Sequence, residues 1–258
     1  MIKELNYALG IVLIAVVFII SNLLFVPDIS AVEDVILTKG AHRGSSVYNI
    51  ENSMLAFQEA LNNPQYKFIE FDIQYTQDKK IIVYHDLSLL RLQGKAVEVS
   101  DLSYEELEAI NDYLIPTYNE AMDLIGSKKV VNVEIKSQGN LSEDQELVDF
   151  IVADSTERGI VNTILISSIS SEVVDYINLT YPKIKTGKIY WITPVTFLPL
   201  DYLVKEIYNS TKDIGADYLM LHGVNLKNYT LWAKLKPENV NLAFWYFDDQ
   251  MYLLGESN

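Results

Sequence analysis

The sequence predicts an α/β fold: a (β/α)8 TIM barrel preceded by one N-terminal transmembrane helix. Three observations carry this. Short apolar segments rich in Val, Ile, Phe and Tyr alternate with helix-like stretches, the pattern of repeated βα units around a parallel sheet. Eight such strand candidates are present, which suits a closed barrel better than an open doubly wound sheet. Ahead of them lies a long apolar run without a charge.

Composition bounds the possibilities. A chain of 258 residues suits one large domain plus a short appendage. Apolar types make up 49% of it, enough for a packed core. The absence of cysteine excludes disulfides, zinc–thiolate sites and thiol nucleophiles. A formal net charge of −15 argues against nucleic acid as a partner, since the phosphate backbone needs a basic footprint. It leaves room for one small phosphate held by a metal ion and a few cations.

The N-terminal run, Ala8 to Val26, is interrupted only by Ser21 and Asn22. Its length matches the roughly 20 residues a helix needs to cross a bilayer. Lys3 precedes it, offset by Glu4, and Asp28, Glu33 and Asp34 follow. This weak bias favours the N-terminus inside and the domain outside. A cleaved signal peptide has a shorter apolar region, about 7–15 residues, and Ser30-Ala31 is a poor cleavage site. An uncleaved single-pass anchor is therefore expected, with a secreted form if the segment is cut. Residues 1–30 read as stub, anchor and linker, and 31–258 as the barrel.

The expected strands are Val35–Thr38, Phe68–Tyr75, Ile81–His85, Val130–Ile135, Thr163–Ser167, Ile184–Trp191, Asp217–Leu221 and Asn241–Phe247. Helices are expected over Asn52–Asn62, after the capping box Ser103-Tyr-Glu-Glu106, and over Tyr118–Ile125 behind Pro116. Another is expected from a second box, Ser142-Glu-Asp-Gln145, towards Arg158, and two more over Asp201–Ile214 and Lys227–Leu235. The stretch Leu87–Asp101 lacks periodicity and reads as a loop over one mouth of the barrel.

Barrel chemistry sits at the C-terminal ends of strands. Four strands here end in ionisable groups: Ala41-His42-Arg43-Gly44, Glu70-Phe71-Asp72, Tyr84-His85-Asp86 and Glu134-Ile135-Lys136. Side chains alternate along a strand, so Glu70 and Asp72 share a face, as do Glu134 and Lys136. Three converging carboxylates repel unless a positive charge sits between them. One divalent cation answers this, and all-oxygen ligation favours a hard ion, Ca2+ or Mg2+. A lone Glu-x-Asp in a strand is usually a surface or salt-bridged pair; the coincidence across four strands reverses that weighting. Histidine suits proton transfer near neutral pH, and His42 and His85 are candidates for base and acid on a phosphoester. Arg43 offers a planar fork and Lys136 a point charge for phosphate oxygens. Both could equally neutralise the carboxylates. His222, in an ordinary context, is expected to be structural or exposed.

Taken in order, the pieces Ala41-His-Arg-Gly44, Glu51-Asn52-Ser53, Ile69-Glu-Phe-Asp72, Val83-Tyr-His-Asp86, Ile115-Pro-Thr117 with Glu120, and Val133-Glu-Ile-Lys136 resemble the glycerophosphodiester phosphodiesterases. Ser167-Ser168 and Trp245 are weaker echoes. The resemblance implies a (β/α)8 barrel hydrolysing glycerophosphodiesters to glycerol 3-phosphate and an alcohol. It places the metal ligands on Glu70, Asp72 and Glu134, and the catalytic histidines on His42 and His85. It places substrate contacts on Arg43 and Lys136, with Trp245 near the mouth, facing substrate or core. It further implies attack by the glycerol 2-hydroxyl and a cyclic phosphate that water opens. Departures are Ile50 for the family's usual proline and Ser53 for its threonine. The chain also stops at Asn258, soon after Asp248-Asp249-Gln250, so the last barrel helix is expected to be short or absent. Two other functions stay open: a lysophospholipase D or sphingomyelinase-D-like lipid phosphodiesterase, and a non-catalytic barrel.

Overall fold

A computed structural model describes residues 10–17, 26–32, 35–191 and 200–256. Nine strands form one sheet: β1 (Val35–Ala41), β2 (Phe68–Tyr75), β3 (Ile81–Val83), β4 (Val130–Ile135), β5 (Ile164–Ser168), β6 (Lys185–Tyr190), β7 (Tyr218–His222), β8 (Asn241–Trp245) and β9 (Gln250–Glu256). Its order is β1-β9-β8-β7-β6-β5-β4-β2-β3, and an extra β1–β2 pairing closes the ring. The closed barrel is the expected one, but its eight staves are not the eight strands expected.

Two corrections explain the difference. The segment expected as the third stave, around Ile81–His85, is not a stave. Only Ile81–Val83 is extended, and it pairs antiparallel with the last residues of β2 as an outer flap. The missing stave is β9, running antiparallel to both β1 and β8. So the barrel has seven parallel strands and one antiparallel strand. Closure is secure because β9 pairs with β1 over seven consecutive positions, from Val35↔Glu256 to Ala41↔Gln250.

The helices are α1 (10–17), α2 (Met54–Asn62), α3 (Leu90–Gln93), α4 (Tyr104–Ile110), α5 (Tyr118–Ile125), α6 (Leu141–Glu157), α7 (Ser171–Thr180), α8 (Asp201–Asp213) and α9 (Tyr229–Leu235). Local chemistry sets their starts. Ser53 caps α2 by accepting from the Ala56 N–H, so the serine does the threonine's job. Capping boxes open α4 at Ser103/Glu106 and α5 at Thr117/Glu120. The box expected at Ser142 does not form. Asn140 caps α6 instead, accepting from the N–H groups of Ser142 and Glu143.

Outward-facing strand residues such as Ile69, Phe71, Val133 and Ile166 pack under the helices. Inward, the lower barrel is filled by Phe68, Leu165, Met220 and Ala243. The N-terminal segment covers the outer face of β8 and β9. Ile29 and Val32 are buried with Phe244, Tyr252 and Leu254, worth roughly 1.5–3 kcal/mol each. The stretch expected as a linker is thus part of the barrel wall. Of the expected anchor, only α1 and Val26 are described; the rest lies outside the described residues. Ile11, Val12, Leu13 and Ile14 on α1 are exposed. Among the described residues no helix is long and apolar enough to cross a membrane.

Candidate active site

Every sequence-singled site residue reaches one end of the barrel, where the β1, β2 and β4 strands finish. A pocket there is lined by His42, Arg43, Glu70, His85, Glu134, Lys136 and Trp245, among others. Asp72 lies just behind, fully buried.

Glu70 and Asp72 lie on the inner face of β2, and β4 sets Glu134 directly beside Asp72 in register. The three carboxylates each offer an oxygen within 4.8 Å of the others, and all three residues are buried. Glu70 Oε1 has no hydrogen-bond partner. A buried triangle of carboxylates with an orphaned oxygen fits a hard cation. The charges respond accordingly. Burial, then Asp72 and Glu134, push Glu70 well above the usual carboxylate range. Burial also raises Asp72, but Lys136, His85 and Arg43 outweigh it and hold that carboxyl well below its usual value. Lys136 Nζ lies 3.0 Å from Asp72 Oδ1 and pairs with Glu134 too. Lys136 therefore neutralises the carboxylates in this structure while lining the pocket.

The turn after β1 is built for this cluster. Arg43 has φ of 59° and Gly44 of 75°. At Gly44 a Cβ would come within 2.8 Å of the Ala56 Cβ on α2, so only glycine fits both the dihedral and the close approach. The left-handed turn points the Arg43 N–H at Glu70 Oε2, 2.7 Å away. Arg43 Nε is 3.5 Å from Asp72 Oδ2. Asn52, also left-handed with φ of 57°, donates to Asp72 Oδ2 at 2.8 Å. The Asp72 N–H is 3.3 Å from Asn52 Oδ1, so one asparagine brackets the aspartate.

His42 is held from the C-terminal side of the chain. Its Nδ1 lies 3.0 Å from the Asp248 carbonyl, and its Nε2 3.9 Å from Glu70 Oε2. Burial, then the Arg43 charge, push its pKa down to about 3, so it is neutral. The segment Asp248-Asp249, at the edge of the chain's weakest resemblance, thereby orients a residue of its strongest.

His85 hangs in the loop after the flap strand, not at the end of a stave. Gln74, inward on β2, donates to the carbonyls of Tyr84 at 2.9 Å and Asp86 at 2.8 Å, gripping the loop on both sides of His85. His85 Nδ1 lies 2.6 Å from Asp86 Oδ1. Arg91 Nε donates to Asp86 Oδ2 at 2.6 Å, and its fork grips both oxygens of Glu51. Glu51 in turn accepts from Arg43 Nη1 at 2.9 Å. Arg43, Glu51, Arg91 and Asp86 thus form one chain of alternating charge that ends on the His85 ring. Burial raises Asp86, but hydrogen bonds from His85 and Arg91 win and hold it at about 2.

Sequence reading missed Arg91, Gln74 and the bracketing role of Asn52. Arg91 sits in the stretch read as a patternless loop, which in fact folds into α3 over its own small core of Leu89 and Val99. An asparagine beside the quoted Glu51 was the available signal, since Asn tolerates the left-handed region. Trp245 lines the pocket, its ring centroid 5.9 Å from that of His42. His222 is not exposed. It is buried against Trp245 and Phe247, with centroids 4.7 and 4.4 Å away.

Carboxylates, histidines and cations gathered at the C-terminal ends of the strands of a closed barrel occupy the place where barrel active sites lie. Residues 42–254 match the Glycerophosphoryl diester phosphodiesterase family, and the chain belongs to it. A glycerophosphodiester phosphodiesterase from Caldanaerobacter subterraneus subsp. tengcongensis is 30% identical over 161 residues, 58% of this chain and 65% of that protein. Lysophospholipase D GDPD1 of Rattus norvegicus is 43% identical over 67 residues, 26% of this chain and 21% of that one. The chain thus spans less than two thirds of either relative. Among solved structures, a phosphodiesterase from Oleispira antarctica in complex with the product sn-glycerol-3-phosphate superposes with a TM-score of 0.62. It is 18% identical, over 80% of this chain and 82% of that one. A glycerophosphodiester phosphodiesterase from Thermotoga maritima gives a TM-score of 0.60 at 22% identity, over 81% and 85%. These likenesses establish the fold.

Proposed function

We propose that this protein hydrolyses glycerophosphodiesters to glycerol 3-phosphate and an alcohol. The observation that carries the reading is the buried triangle of Glu70, Asp72 and Glu134 facing His42 and His85 across one pocket. Family membership and the name of the Caldanaerobacter relative support it, as does the product found in the Oleispira enzyme.

The three carboxylates would hold one divalent cation, Mg2+ or Ca2+, which when bound polarises the phosphoryl group. The chain's own residues do the rest. Arg43 and Lys136, lining the pocket, receive the phosphate oxygens. His42, kept neutral by burial, takes the proton from the glycerol 2-hydroxyl as its oxygen attacks phosphorus. The bond from phosphorus to the alcohol oxygen breaks, and His85 delivers the proton that oxygen needs. Asp86 fixes the His85 ring by its Nδ1, leaving the other nitrogen for this transfer. Water then opens the cyclic phosphate with the proton roles reversed. Trp245 packs beside His42 and walls the site from solvent.

A second reading keeps the reaction and changes the glycerol side of the substrate, which then carries one acyl chain. Trp191 and Phe247, exposed beside the pocket, suit a lysophospholipid tail, and the Rattus relative is named a lysophospholipase D. We further read residues 8–26 as an uncleaved anchor and the barrel as extracellular, on the charges flanking the run. Full-length domain released into the medium would replace the anchor with a signal peptide.

The test is choline release by the purified full chain from glycerophosphocholine and from lysophosphatidylcholine, with chelator and with added Ca2+ or Mg2+. Chelator-sensitive release from the first substrate is expected. Turnover of the lysolipid alone would select the second reading. No release from either by folded, cation-loaded protein would leave a binding barrel.

A further inference from the structure

The N-terminal segment meets the barrel at the end that carries the site. Pro27 directly follows the apolar run 8–26. Its carbonyl accepts a hydrogen bond from the Tyr246 hydroxyl at 3.1 Å. Tyr246 comes immediately after β8, next to pocket-lining Trp245. The short turn Ile29–Ala31 packs on Gly223–Asn228, the segment leaving β7 at the same end. The burial of Ile29 and Val32 then fixes this stretch to the wall. No free linker separates the apolar run from that attachment, so whatever receives the run lies beside the pocket mouth.

The mouth itself is apolar at its rim. Trp191, Phe247, Ile169 and Leu87 are 50%, 64%, 52% and 48% exposed. Trp191 and Phe247 stack edge to face, 5.3 Å apart. Across the mouth, Ile169 and Leu87 edge a hollow shared with His85, Glu134 and Lys136. Large apolar side chains collected round a charged pocket mark a contact surface, and tryptophan favours the bilayer interface. A net charge of −15 opposes approach to anionic lipid.

We propose that the pocket mouth lies against a zwitterionic lipid bilayer, with residues 8–26 entering the membrane beside it and the rim of Trp191, Phe247, Ile169 and Leu87 seated among the headgroups. The proposal rests on the anchor reading above and adds to it an orientation. The site then draws phosphodiesters from the membrane surface, and its opposite end, with the loop before β2, points to water.

Because the chain has no cysteine, one introduced cysteine carries one label. Phe247→Cys places a nitroxide on the rim; Gln65→Cys, exposed in the loop before β2, places one at the far end. The full chain is reconstituted in phosphatidylcholine vesicles, recovered by flotation, and probed with oxygen and with a water-soluble nickel chelate. A several-fold preference for oxygen at Phe247→Cys, and for nickel at Gln65→Cys, is expected. Leu87→Cys reports the same rim should Phe247→Cys not fold. Protein that floats with both ends open to nickel would overturn the orientation and keep the anchor. Protein that does not float would overturn the anchor, and the bilayer contact with it.

Discussion

The two sides of the pocket are built on opposite terms. From β1, β2 and β4 come His42, Arg43, Glu70, Asp72, Glu134 and Lys136, each ionisable and each paired with another. From β6, β8 and β9 come Ile189, Trp191, Trp245 and Met251, and no charged residue from those strands lines the pocket among the described residues. The first side gathers like charges that resist burial; the second buries aromatic surface at little cost. The difference teaches where stability and chemistry part company. Changes on the charged side should remove function while sparing or helping the fold, and changes on the aromatic side should do the reverse.

The largest effect tests that split directly. His42→Ala and His85→Ala should each lower kcat by roughly 10²–10⁴-fold, the usual worth of a positioned proton donor or acceptor. Thermal unfolding should shift little. Wild-type turnover in either variant would remove that histidine from the mechanism, and a collapsed Tm would show that the charged side also supports the fold.

Glu70→Gln sharpens the comparison, because its two effects should have opposite signs. Cation affinity, read by calorimetry with Ca2+ or Mg2+, should fall by at least about 10–100-fold. The cation-free protein should become more stable, by ~1 kcal/mol or more, because a buried carboxylate facing two others has been neutralised. The amide oxygen can still accept from the Arg43 N–H. Unchanged affinity would sink the ligand assignment.

The same contrast explains what the sequence made legible. The charged side was readable because its residues come in short blocks of fixed alternation, such as Glu70-Phe71-Asp72, where the pleat alone dictates a shared face. The stave count was right in number and wrong in membership. Ile81–His85 has strand composition, but its turn back at Thr76–Lys80 makes a flap, and no periodicity separates a flap from a stave. β9 was invisible because Gln250-Met-Tyr-Leu-Leu-Gly-Glu256 follows at once on the polar turn that ends the expected eighth strand, with no helix between them to mark a new unit. The aromatic side was opaque for another reason. Trp191, His222 and Phe247 meet only after the ring closes, so nothing local to any of them marks the cluster.

A smaller effect is expected where the charged side is braced from outside. Arg91 does not line the pocket, yet it ties Asp86 to Glu51 and so His85 to Arg43. Arg91→Gln should lower kcat by about 10-fold through a misplaced His85. A diagnostic accompanies it. Arg91 helps hold Asp86 at about 2 against burial. Without it the carboxyl rises, and once it passes the His42 value of about 3 the acid limb of the kcat–pH profile moves to higher pH. A loss of rate with an unmoved limb would make Arg91 only structural.

The smallest effect lies on the aromatic side, at His222. Its Nδ1 accepts from the Val224 N–H at 3.3 Å, while its Nε2 is buried without a partner. Burial pushes its pKa down to about 4 from the ordinary 6.5. A histidine whose folded pKa is depressed stabilises most above its unfolded pKa. That stability is lost as pH falls from 6.5 towards 4, because the unfolded chain takes up the proton first. Asparagine can keep the acceptor and cannot titrate. His222→Asn should therefore cost ~1 kcal/mol at pH near 7.5 through lost contact with Trp245 and Phe247. Near pH 5 the wild type alone pays the protonation penalty, so the gap between the two should narrow or close. Urea unfolding at both pH values reads the difference, and the many carboxylates common to both proteins cancel from it. A gap that stays constant would mean that His222 is solvated in the fold and that the aromatic side is less dry than its packing indicates. A loss of kcat as large as that of His42→Ala would break the division between the two sides altogether.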